Sequence, residues 1–135
     1  MGMGSYVVNH DIEMLDFEGF KKMVHGFAEL RGEKEFWIKF IDEEKKTLNV
    51  YNFDDLKMIS YWYTDMLIFI KLLSKFIEGN IELNSEDGDL ATIYFEDKDV
   101  NISIGHLEWT DYSVDELKHR PDEEELEKFA MLYEI

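Results

Sequence analysis

The chain has no cysteine and a single proline, Pro121, in 135 residues. Without thiols there is no disulfide and no thiolate metal site, and a cytoplasmic setting is the simpler expectation. Bases are scarce as well. Fourteen Lys and Arg stand against 31 Asp and Glu, a formal net charge of -17. Such a surface is repelled by phosphates and by anionic lipid, which argues against direct binding of nucleic acid or of a membrane surface. Long uninterrupted apolar runs are missing too. The most apolar segment, 55–78, carries Asp65, Lys71 and Lys75, so no window of about 20 residues reads as a transmembrane helix. Met1 to Ser5 has neither the basic nor the apolar part of a signal peptide. No HExxH pattern, serine or cysteine nucleophile motif or glycine-rich phosphate loop is present, and no cofactor is expected.

What is there is core material and an uneven charge. Hydrophobic residues make up 45% and aromatics 15%, enough for one domain despite the net charge. The expected organisation is an N-terminal arm or short strand over 1–11, then a single α+β domain over 12–135. Residues 1–81 carry 14 acids against 10 bases, whereas residues 82–135 carry 17 against 4. The second half is therefore read as an acidic surface.

The first helix is well signposted. Asp16 can cap it, Phe20, Met23, Val24, Phe27 and Leu30 form one stripe, and Gly32 closes it. Glu35 to Ile41 reads as a strand apolar on both faces, and Thr47 to Phe53 as its return across the charged turn 42–46. Asp54 is the expected cap of a long helix over 55–78, closed by Gly79. Three strands follow: 81–83, 90–95 (apolar on both faces) and 100–109. Ser113 to Glu116 has the form of a capping box, Pro121 interrupts the last helical region, and Asp122 restarts it.

This order of helix, two strands, helix, three strands and helix resembles the roadblock/LC7 family. The resemblance implies a five-stranded antiparallel sheet with helices on both faces, and a homodimer built through the middle helix. The residues expected at that seam are Ile59, Trp62, Met66, Phe69, Ile70, Leu73, Phe76 and Ile81. It also implies a scaffold or small-GTPase-associated role. Counting Tyr6 to Val8 as a strand gives the alternative, a ferredoxin-like βαββαβ unit with a ββα extension.

Two surfaces are candidates for chemistry or binding. His106 and Glu108 lie two apart on a strand with Asp111 close behind, residue types that ligate metals, although no motif completes a ligand set and a strand end emerging into solvent is the simpler account. Asp87, Asp89, Asp97, Asp99, Asp122, Glu123, Glu124 and Glu125 form the expected acidic partner surface. The leading reading is a non-enzymatic homodimeric interaction protein whose acidic surface meets a basic protein or a small GTPase. The alternatives are an acidic nucleic-acid mimic and a small metal-dependent enzyme centred near His106 and Glu108.

Overall fold

A computed structural model describes residues 5–54, 64–85, 90–105, 109–114 and 124–134. They build an α+β fold. Strand β1 (Ser5–Met14) leads into helix α1 (Phe17–Arg31) and the short helix α2 (Lys34–Ile38). A small hairpin follows, β2 (Ile41–Asp42) and β3 (Thr47–Leu48), then a 3-10 turn over Val50–Phe53 and helix α3 (Thr64–Leu73). Strands β4 (Ile77–Ser85), β5 (Leu90–Glu96), β6 (Asp99–Gly105) and β7 (Trp109–Ser113) precede helix α4 (Glu124–Met131).

Helix α1 forms as its sequence dictates. The Asp16 carboxylate accepts the Gly19 N–H at 3.0 Å, and Gly32 ends the helix in the left-handed conformation. Its stripe from Phe20 to Ala28 is buried.

The sheet differs from the expected one. Strand order is β1-β4-β5-β6-β7, antiparallel throughout, and β2 and β3 form a separate two-stranded sheet. The N-terminal segment is therefore an edge strand that runs past residue 11, while the hairpin drawn into the main sheet by both predicted topologies stands apart. Residues 35–41 are the reason. Phe36, Trp37 and Phe40 fit a helical stripe as well as a strand, and a short apolar run does not distinguish the two. Packing decides. On α2 and the turn after it these rings meet at 4.9 to 6.2 Å and join Phe27 and Phe69.

The long helix also ends early. Its described part stops at Leu73, a turn carries Ser74 to Phe76, and Ile77 already belongs to β4. Gly79 thus lies inside a strand. Asp54, expected as the helix cap, accepts the N–H of Val7 at 2.8 Å; the helix start and the predicted seam residues Ile59 and Trp62 lie outside the described residues. The predicted strand 100–109 is two strands, because the chain leaves β6 after Gly105 and returns as β7.

One hydrophobic core lies on one side of this sheet. Ile81, Ile93 and Ile102 face it from three neighbouring strands, and Phe27, Phe69 and Leu126 meet them from the helices. Strand β5 corrects the expectation of a sheet apolar on both faces: Ala91, Ile93 and Phe95 point inward, while Tyr94 on the opposite face is 46% exposed. An antiparallel sheet covered on one face alternates in this way.

Candidate functional site

The other face of the sheet collects the chain's chemistry. Alternation and register place Tyr6, Asn9, Asp11 and Glu13 of β1 on it, beside Glu78, Asn80, Glu82 and Asn84 of β4. Strand β5 adds Leu90, Thr92, Tyr94 and Glu96, and β6 adds Asp99, Asn101 and Ser103. Asp111 of β7 completes it opposite Ser103. These positions hold seven carboxylates and no lysine, arginine or histidine.

Neighbouring strands lie about 4.8 Å apart, and the screening length at physiological salt is about 8 Å. The carboxylates therefore sum into one negative field. In two places the register sets like charges directly opposite, Glu13 against Glu78 and Glu96 against Asp99. Such pairs destabilise a sheet. Glu78→Gln removes one of them and is expected to stabilise the fold by about 0.2–1 kcal/mol at low salt. Urea denaturation at low and high NaCl checks this, because the gain should shrink as salt screens the wild-type repulsion.

One row across the sheet is more than charged. Asn9, Glu82, Thr92, Ser103 and Asp111 are successive register partners. The Ser103 hydroxyl donates to Asp111 Oδ1. Thr92 and Ser103 are each only 7% exposed, although they belong to the polar face. Together with Glu82, Asn84, Leu90 and Tyr94 they line a groove of about 380 Å³. On the far side of Tyr94 a second groove of about 340 Å³ is lined by Glu78, Asn80, Glu96 and Asp97.

The predicted site residues distribute unevenly over this picture. Asp99 and Asp111 lie on the face, and Asp97 sits at the turn beside it. Glu124 and Glu125 open α4 instead. Asp87, Asp89, His106, Glu108, Asp122 and Glu123 lie outside the described residues. Asp111 is engaged by Ser103, and among the described residues no three His, Asp or Glu side chains gather as a metal site.

The residues expected at a dimer seam, Met66, Phe69, Ile70, Leu73, Phe76 and Ile81, are all buried in the chain's own core. A seam through them would require them to leave it. Asp65, in the same helix, pairs with Arg31 of α1 at 3.2 Å.

Five of the seven acids escaped the sequence reading: Asp11, Glu13, Glu78, Glu82 and Glu96. The signal for two of them was present in 77–85, where Ile77, Ile81 and Leu83 alternate with Glu78, Asn80, Glu82 and Asn84. No described helix is long and apolar enough to cross a membrane. No protein-family profile, curated protein or solved structure matches the chain.

Proposed function

We propose that this protein is a non-enzymatic interaction module that presents its acidic sheet face to a basic surface of a partner protein. One observation carries the reading: among the described residues, seven carboxylates share one sheet face with no cation among them. Two like-charge pairs are retained there against their cost in stability. A field of one sign on a flat face steers a partner of opposite sign and selects against partners of like sign. The carboxylates spread over all five strands instead of following one ridge, which suits a broad basic protein surface better than imitation of a phosphate backbone.

The test compares two variants of equal charge. In one, Asp11, Glu78, Glu82 and Asp99 are replaced by their amides. In the other, Glu18, Glu33, Glu43 and Glu44, away from the face, are treated alike. Bound proteins are captured from a cell extract and sorted by isoelectric point. The wild type and the second variant should retain basic proteins at physiological salt and release them at about 1 M, where screening acts within about 3 Å. The first variant should lose them at both. Equal loss by the two variants would leave only a general charge effect, and the sheet face would have no special role.

A further inference from the structure

The groove between Tyr94 and Leu90 gathers hydrogen-bond acceptors beside an aromatic ring. Ser103 gives its hydroxyl hydrogen to Asp111, so towards the groove its oxygen can only accept. Thr92, beside it in register and more than nine-tenths buried as a residue, lines the same groove, where its hydroxyl can accept as well as donate. Glu82, next in the same row, brings a carboxylate, and Asn84 an amide that can accept as well as donate. The Tyr94 side chain, at the neighbouring outward position of β5, forms the wall. Among the described residues that line it there is no charged donor.

A lining of spread acceptors, one carboxylate and one aromatic ring fits a planar cation with several donors. Guanidinium has five N–H donors in a rigid fork, pairs with carboxylate through two parallel bonds and stacks on aromatic rings. An ammonium places three donors at one point and cannot reach a row of acceptors together. We infer that this groove is a receptor for an arginine side chain of the basic partner, with Glu82 taking the guanidinium fork, Tyr94 stacking on its plane, and Thr92 and Ser103 accepting the remaining donors. This inference rests on the acidic-face reading and narrows it to one anchoring residue type.

The experiment titrates the full chain with end-blocked hexa-arginine and hexa-lysine peptides at physiological salt, by calorimetry and by amide chemical shifts. Both peptides carry the same charge, so a purely electrostatic face treats them alike. The arginine peptide is expected to bind about tenfold more tightly, the effect of roughly one additional charge-assisted bidentate contact. Shifts should concentrate at Thr92, Tyr94 and Ser103. Glu82→Gln and Tyr94→Leu should each abolish the preference for arginine. Asp11→Asn, on the same face but outside the groove, should weaken both peptides equally. Circular dichroism confirms that each variant is folded. Equal affinity for the two peptides, with shifts spread over the whole face, would overturn the arginine receptor and leave the acidic face standing. No binding of either peptide would overturn both.

Discussion

Gly79→Ala will destabilise this protein by about 3 kcal/mol or more, the range reserved for strained backbone and overpacked sites. Gly79 sits in β4 directly opposite Ile12 of β1, with φ at +121°. A side chain is strained in that conformation wherever it stands. Space makes it worse. A Cβ built on Gly79 would lie 1.7 Å from the Asp11 carbonyl oxygen and 2.8 Å from its carbon. These are backbone atoms, so no rotamer change relieves the overlap. Either β4 flattens at this point or β1 lifts away from it. The edge strand is the weaker holder, since it pairs on one side only, and the expected outcome is detachment of Asp11 to Met14. Urea denaturation should show the loss in midpoint, and amide exchange should rise at Ile12 to Met14 before the rest of the sheet. An unchanged midpoint would mean that β1 and β4 do not meet in this register.

The same glycine shows where sequence reasoning loses its hold. A glycine after a long apolar segment has the form of a helix terminator, and Gly32 after α1 is one. Around Gly79 the apolar residues already alternate, Ile77, Ile81 and Leu83, and the period had changed from helical to extended by Ile77. Phe76 and Ile77 blurred that change because they continue the apolar run of α3. Helix α1 was legible to its caps because stripe, cap and stop all agree. Residues 35–41 were not, because aromatic content favours a strand while the nearby Phe27 and Phe69 reward a helix. The acidic face was legible only in part. Counting charge by halves of the chain pointed to Asp99, and Asp111 entered only as a metal-ligand candidate behind His106 and Glu108. It could not locate Asp11 and Glu13, which reach the face through the pairing of β1 with β4. Their contribution is tertiary and leaves no local pattern.

The other large effect belongs to the opposite side of the sheet. Phe69→Ala is expected to destabilise the fold by about 3–5 kcal/mol, the usual consequence of emptying a buried aromatic site. Phe69 has no exposed surface, and its ring lies 4.8 Å from Phe40, 4.9 Å from Trp37 and 5.3 Å from Phe27. Those neighbours come from α1, α2 and the turn after α2, so no single element can shift to fill the space. Domains are stable by about 5–15 kcal/mol in total, and the variant will sit near its folding threshold. Phe69→Leu retains most of the volume and should lose less than the alanine variant. The same measurement bears on self-association. Were the apolar surface of α3 completed by a second copy, the unfolding midpoint would rise with protein concentration. With Phe69 enclosed by its own chain, midpoints of wild type and Phe69→Leu should not move over a hundredfold range of concentration, roughly the span that linkage would make visible. The leucine variant should also bind hexa-arginine as the wild type does, because Phe69 lies on the core side and Glu82 and Tyr94 on the other. A Phe69→Ala loss below about 1 kcal/mol would mean that this core is not packed around α3.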